Sequence, residues 1–256
     1  MKNETFLSHL LTWLVAGFLL SPLVLCVLFS FTSRPIAAFP IPALTLDWYA
    51  RLAAQDQFWR AALTTAKITL GCGFSATAVG LATALGLARL PQRIAVLLLL
   101  VLSLPLMLPP LVLGLSLLTY LNFIGIPTGV FATTLAHLVF TLPFVTAVIY
   151  VRVVTLDPSA IEAARDLGAT QTRAFLTITL PLISTSIVGG LLIAMALSLD
   201  DFVIAFFTTS SNTLSILIWG MMRTTITPMI NALGTGIICI TLGIAAIALQ
   251  ITRYRG

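Results

Sequence analysis

The chain has 256 residues, of which 59% are hydrophobic and only 8% are charged, and its mean hydropathy is +1.10. Soluble globular chains carry about 25% charged residues, so this chain cannot cover a water-facing surface, and a soluble protein is excluded. The net charge of +5 comes from scattered single residues rather than a basic patch, which excludes a nucleic-acid-binding protein. Most of the chain must therefore lie in lipid.

Six apolar stretches are long enough to cross a bilayer, which takes about 20 residues per helix. The predicted spans, within a single transmembrane domain 1–256, are 8–31, 60–88, 94–120, 130–151, 179–207 and 231–252. The first is too long for the core of a signal peptide. The sequence therefore predicts an all-α integral membrane protein with six transmembrane helices.

Lysine and arginine residues predict the orientation, because they accumulate in cytoplasmic loops. With a cytoplasmic N-terminus, eight of them lie inside and four lie outside. The inside set is Lys2, Arg89, Arg93, Arg152, Arg165, Arg173, Arg253 and Arg255, and the outside set is Arg34, Arg51, Arg60 and Arg223. We therefore expect both termini and the loop 152–178 in the cytoplasm.

Several features are typical of helices packed in lipid. Pro105, Pro109 and Pro110 interrupt the third span, which is tolerated where protein or a cavity satisfies the backbone. The outer loops carry a short amphipathic piece at 46–52, whose aromatic residues suit the membrane interface, and a short apolar piece at 214–222, expected as a re-entrant or interfacial helix. Small residues recur in the sixth span at spacings that allow a second helix to approach closely. They are Ala232, Gly236, Cys239, Gly243 and Ala246.

The usual marks of an enzyme are missing from the sequence. It contains no Gly-x-x-x-x-Gly-Lys-Ser/Thr loop, so we expect no ATP site in this chain. We predict no catalytic residue, no metal site and no cofactor. His137 lies among Thr133, Thr134 and Thr141, and we interpret it as a packed, hydrogen-bonded residue rather than a proton relay.

The loop 152–178 has a helical pattern. Pro158 suits a first turn, and Ser159-x-x-Glu162 has the spacing of a capping box. Gly168 is expected to end this helix in the left-handed conformation, before a second short helix at 170–177. The apolar face of the first helix is predicted to be Ile161, Ala164 and Leu167.

At these residues the chain resembles the permease subunits of bacterial ATP-binding-cassette importers. Their hallmark is Glu-Ala-Ala, three residues, Gly, nine residues, then Ile-x-Leu-Pro, and it matches here at 162–164, Gly168 and 178–181. The resemblance implies the type I importer permease fold, in which this loop is a coupling helix that docks on a separate ATPase. The ATPase-coupling residues it implies are Glu162, Ala163, Ala164, Asp166 and Gly168.

Three further stretches, 45–49, 196–204 and 227–233, are similar to the polyamine (spermidine/putrescine, PotC/PotI-type) branch. This implies a permease of the bacterial inner membrane for a small cationic solute. It also implies three partners: an ATPase dimer that binds the ATP, a second permease subunit and an extracytoplasmic substrate-binding protein. Leu111 and Met229 stand where the branch usually has acidic residues. A permease for another organic amine, an amino-acid derivative or a metal complex, and a stand-alone secondary carrier, therefore stay open.

Asp200 and Asp201 are the acidic residues that fall within the predicted spans. A lipid-facing carboxylate costs about 2.5–3.5 kcal/mol, so such residues face a cavity or a partner. We predict that at least one lines the substrate path, with Asp201 preferred, while the other caps, packs or pairs with a base. Ser198 and Trp48, from the stretches similar to the polyamine branch, complete the candidate path.

Overall fold

The structure, a computed structural model, describes residues 2–224 and 227–253, so Arg255 of the orientation argument lies outside the described residues. Most of the described chain is helical, which confirms the predicted all-α class. The helices are α1 Lys2–Ser30, α2 Asp47–Ala53, α3 Asp56–Leu87, α4 Gln92–Leu102, α5 Pro110–Phe123, α6 Val130–Val154, α7 Ser159–Asp166, α8 Gln171–Ala174, α9 Leu180–Asp200, α10 Val203–Thr208, α11 Leu214–Thr224 and α12 Pro228–Arg253.

Within the described residues, five helical segments are long and apolar enough to cross a membrane. They are Leu11–Ser30, Asp56–Leu87, Val130–Val154, Gln171–Asp200 and Pro228–Ala246. Many of their large apolar side chains stay exposed, for example Trp13 at 75% and Phe18 at 77%. Apolar surface of this extent requires a nonaqueous neighbour, which a lipid bilayer provides.

The third predicted span, 94–120, differs from a continuous helix. It consists of two shorter apolar helices, α4 and α5, with a 3₁₀ turn at Leu104–Met107 between them. Pro105 lies in this turn, and Pro109 is extended with φ −53° and ψ 135° immediately before α5. Proline lacks a backbone N–H and its ring disfavours helical backbone in the preceding residue. The break therefore falls at the prolines that the sequence marked.

The described chain falls into two compact units. The first comprises residues 1–59 and 217–241. Within it, the Cys26 thiol lies 3.7 Å from the carbonyl oxygen of Asn231, so α1 lies beside the start of α12. The Gln55 amide donates to the sulfur of Met229 at 3.5 Å. The prediction of a single domain stays a prediction.

The second unit comprises residues 60–216 and 242–256, and its core packs α3, α4, α6 and α9 together. Two glycines allow the close approach. A Cβ placed on Gly80 of α3 would lie 2.8 Å from Val145 Cγ1, and one on Gly190 of α9 would lie 3.1 Å from the same atom. Val145 of α6 is fully buried. Helices without a hydrophobic driving force in lipid associate through such small residues.

The fifth predicted span, 179–207, begins within one residue of α9 at Leu180 but is wrong at its C-terminal end. The helical run begins at Gln171, because α8 continues into α9 through a π-helical turn at Phe175–Thr179. The predicted second short helix is therefore not separate from the span. Pro181 lies in the first turn of α9, and a π turn is one way in which a helix accommodates such an interruption. At the other end α9 stops at Asp200, and 203–208 form the separate helix α10.

Candidate functional site

The coupling helix α7 begins with a cap from a residue outside it. The Asp157 Oδ1 accepts a hydrogen bond from the backbone N–H of Ser159 at 2.9 Å, and this bond holds the pKa of Asp157 below its usual value. Ser159 is the first residue of the helix. The predicted capping box of Ser159 and Glu162 is therefore wrong, because Asp157 supplies the acceptor that the first turn needs.

The end of α7 has the predicted glycine stop. Gly168 has a φ of +87°, in the left-handed region, and its N–H donates to the carbonyl of Arg165 at 2.9 Å. The N–H of Ala169 donates to the carbonyl of Ala164, also at 2.9 Å. These two bonds form a Schellman motif, which satisfies the last carbonyls of a helix. The loop then enters α8, where the Thr170 hydroxyl accepts from the N–H of Arg173 at 3.3 Å.

The α7 side chains that carry the coupling motif point outward. Glu162, Ala163 and Asp166 are exposed, while Ala164 is half-buried. Of the predicted apolar face, Ile161 and Ala164 are half-buried, whereas Leu167 is 90% exposed. It lies at the C-terminal cap, where the chain leaves the helical register. The result is a short helix whose carboxylates and small residues are available to another protein.

A second cluster of functional groups surrounds His137 on α6. The imidazole is 1% exposed, and its Nδ1 lies 2.8 Å from the Ser198 hydroxyl on α9. Its Nε2 lies 3.2 Å from Asp201 Oδ2, within ion-pair distance but without the alignment of a regular hydrogen bond. The interpretation of His137 as a packed, hydrogen-bonded residue is confirmed.

Asp201 is fixed in place where α9 ends. Its backbone is extended, with φ −68° and ψ 125°, and its Oδ2 accepts from the N–H of Ala205 at 3.0 Å. It thus caps α10 while it faces His137. Asp200, one residue earlier, ends α9 and is exposed. Of the two roles predicted for this pair, Asp201 therefore has the capping and pairing one.

The polar cluster continues toward α3 through buried side chains. The Cys72 thiol lies 3.3 Å from the Thr141 hydroxyl, and that hydroxyl donates to the carbonyl oxygen of His137 at 2.8 Å. A hydrogen bond of 3.1 Å between Thr208 and Thr133 joins α10 to α6. Such pairs join helices in lipid. Among the described residues, no three His, Cys, Asp or Glu side chains are grouped to hold a metal ion.

Trp48 is buried in α2, and its indole N–H donates to the carbonyl of Thr32 at 2.6 Å. The Arg51 guanidinium lies over its ring at 5.0 Å from the centroid. The indole hydrogen bond anchors α2 to Thr32, whereas the Arg51 contact lies within α2. This geometry gives Trp48 a structural role, and its place on the substrate path stays a prediction. The sequence signal for the His137 cluster was modest: hydroxyl residues at helical spacing around one histidine, and Ser198 three residues before Asp201.

Comparison with known proteins identifies the family. Residues 76–254 match the family described as "Binding-protein-dependent transport system inner membrane component". The chain belongs to this family. It is 32% identical to the spermidine/putrescine transport system permease protein PotC of Haemophilus influenzae over 98% of both chains. It is 35% identical to the putrescine transport system permease protein PotI of Escherichia coli K12, over 85% of this chain and 80% of that protein.

A solved structure agrees with the fold of this transport-system family. A bacterial ABC transporter that imports the acidic polysaccharide alginate matches with a TM-score of 0.72 over 99% of this chain and 96% of that chain, at 17% identity. At this identity the likeness shows the fold alone. The family confirms the predicted class: the chain is a multi-pass membrane protein and a permease subunit of an ABC importer.

Proposed function

We propose that this permease moves a small polyamine, such as putrescine or spermidine, across the bacterial inner membrane. The observation that carries the proposal is the similarity to polyamine permeases along the whole chain, at 32% identity over 98% of both proteins for PotC. The chain contributes the transmembrane path, and hydrolysis of ATP takes place in a separate subunit. Its work is alternating access rather than a covalent reaction.

Asp200 supports a cationic cargo. Its carboxylate is exposed at the end of α9, whereas Asp201 is held by His137 and by the N–H of Ala205. An exposed carboxylate can attract an ammonium group, while a carboxylate already paired attracts it less. We therefore assign the cation-attracting role to Asp200. Ser198 and Asp201 hold the end of α9 in place through their contacts with His137.

The partner assignments rest on two exposed surfaces. On α7, Glu162, Ala163 and Asp166 are accessible, which supports docking on an ATPase subunit. On α12, Cys239, Gly243 and Ala246 of the small-residue stripe are exposed, which supports close packing against a second permease. The family is binding-protein-dependent, so an extracytoplasmic binding protein completes the proposed importer. The distribution of arginines supports a cytoplasmic position for both termini and α7.

The test is uptake of labelled putrescine and spermidine by the importer reconstituted in vesicles. Asp200→Asn should raise the apparent KM about fivefold, because a unit charge about 4 Å away in water is worth about 1 kcal/mol. Asp47→Asn is the matched control, since Asp47 is an equally exposed carboxylate on α2. If Asp200→Asn transports both polyamines like the parent, the assignment of Asp200 fails.

A second cargo class is favoured by the two positions that lack a carboxylate. Met229 accepts from Gln55 instead of offering a negative charge, and Leu111 lies in the first turn of α5. Both changes reduce the attraction for a polycation. An importer for a less charged organic amine or an amino-acid derivative would fit them. Competition of each solute class with labelled putrescine, measured in the same vesicles, distinguishes the two cargo assignments.

A further inference from the structure

A cavity of about 510 Å³ lies beside the coupling helix. The last turn of α3 supplies Leu85, and Arg89 lies two residues after the end of α3, while α7 supplies Ile161 and Arg165. The remaining wall comes from the run through α8 into the π turn, including Phe175. The cavity therefore lies between the C-terminal end of α3 and the loop that carries the coupling motif.

The polar part of this cavity is positively charged. Arg89 and Arg165 line it together with the polar side chains of Gln171 and Thr172, and no carboxylate is among the described residues that do so. Neither arginine forms an ion pair within the described part of the chain. Guanidinium groups bind phosphate with two parallel hydrogen bonds, and Gln and Thr add further donors. This lining selects an anion.

The apolar part of the lining narrows the choice of anion. Leu85, Ile161 and Phe175 face the same cavity, and α3 ends at Leu87, where the sequence changes from apolar residues to the segment with Arg89. A small inorganic anion gains no binding free energy from contact with apolar side chains. A phospholipid has a phosphate for the arginines and a glycerol and acyl portion for the apolar residues. Basic pockets between helices at the cytoplasmic boundary bind such headgroups.

The side of α7 that lines the cavity differs from the side that carries the exposed carboxylates. Ile161 and Arg165 are four residues apart and therefore lie on one side. Glu162 and Asp166 form the next such pair, rotated by about 100°, and they are exposed. An ATPase docked on the carboxylate face would leave the cavity face free.

We propose that this cavity binds the phosphate headgroup of an anionic phospholipid, which bridges Arg89, just after α3, and Arg165 on α7. The assignment to the cytoplasmic leaflet rests on the orientation proposed above, whereas binding itself depends on neither the cargo nor the orientation. The lipid holds the coupling helix against the end of α3. Coupling therefore depends on the anionic lipid content of the membrane.

The binding test uses the detergent-purified chain with its co-purified partner subunits and phosphatidylglycerol as the probe. Native mass spectrometry counts the bound phosphatidylglycerol during a titration. Arg89→Gln and Arg165→Gln should each weaken binding about fivefold, the factor that corresponds to about 1 kcal/mol per basic residue. Arg93→Gln and Arg173→Gln remove the same charge outside the cavity lining and should leave binding unchanged. Equal losses in all four variants would show a diffuse surface charge and overturn the proposal.

Two further arms identify the source of the anion. Displacement of phosphatidylglycerol by inorganic phosphate alone would reveal a soluble-anion site and overturn the lipid assignment. Loss of the ATPase from Arg89→Gln in purely phosphatidylcholine nanodiscs would instead indicate an acidic side chain of that partner. The expected result is that phosphatidylglycerol raises uptake by the parent and not by Arg89→Gln. If Arg165→Gln fails to insert, Arg89→Gln, in the connection after α3, carries the test.

Discussion

Substitution of Gly168 tests the coupling loop with a cost that the structure defines. Gly168 has a φ of +87°, and a Cβ placed on it meets nothing within 4 Å. A side chain there therefore causes no clash and costs only backbone conformation. For Gly168→Ala that cost is about 1–2 kcal/mol in the left-handed region, a factor of about 5–30 in the population with α7 correctly ended. Asparagine tolerates this region and should cost less.

Transport should follow the conformational preference of the residue. We expect uptake to decrease in the order Gly, Asn, Ala, Val at position 168, because valine is β-branched and fits left-handed backbone worst. Hydrolysis of ATP should fall less than uptake, since a misplaced α7 uncouples the two. Both rates are measured in the same vesicles at matched protein content, and their ratio is the readout.

Gly125 provides the matched control for this series. It has a φ of +80°, and a Cβ placed on it also meets nothing within 4 Å, but it lies in the connection between α5 and α6. Gly125→Ala should lower the free energy of unfolding by a similar amount without changing the ratio of uptake to hydrolysis. If Gly168→Asn is as damaging as Gly168→Val, a partner excludes every side chain at this site, and the reasoning from φ is refuted.

Three further predictions concern the packing of α3 on α6 and the caps of α10 and α7. Gly80→Ala should destabilise the chain by about 1–3 kcal/mol, because its Cβ would lie 2.8 Å from Val145 Cγ1. Adding Val145→Ala should restore the thermal unfolding temperature. A further fall of that temperature in the double variant would contradict this explanation. Asp201→Asn keeps an acceptor for the Ala205 N–H, whereas Asp201→Ala should cost about 1 kcal/mol, and equal melting temperatures would contradict the cap. Because the pKa of Asp157 is lowered, its cap on α7 is present above the usual carboxyl pKa and is lost as pH falls through the lowered pKa. Hydrogen exchange of the α7 amides should therefore accelerate only in acid, when the rates are compared with those of Asp157→Asn at the same pH.

The positions of most helices could be predicted because a membrane-spanning helix requires a long, continuous run of apolar residues. Runs of apolar residues place α1, α3, α6 and α12 within a few residues, since lipid requires about 20 of them per helix. The motif of the loop 152–178 could be recognised equally well, because Gly168 and the Glu-Ala-Ala run are defined by their local spacing alone. Local rules of this kind need no knowledge of the neighbouring helices.

The end of α9 could not be predicted in the same way. Residues 202–207 are apolar and aromatic, so composition continues the span past Asp201. The break depends on Asp201 turning its carboxylate to the Ala205 N–H and toward His137, which lies 64 positions earlier in the sequence. Only the fold brings this histidine near. This contact engages the carboxylate of Asp201, which the sequence preferred for the substrate path, and leaves that of Asp200 exposed. A path role for either aspartate stays a prediction.

The continuous helical run from α8 through the π turn to Asp200 has a mechanical consequence. Its 30 residues are about 45 Å long, whereas the hydrocarbon core is about 30 Å thick. About a third of the rod must therefore extend beyond the hydrocarbon or be taken up by tilt. A tilt of about 10° about one end moves the other end by roughly 8 Å, from the same rise per residue. A displacement applied at Gln171 would thus be carried to Asp200 along one continuous helical run.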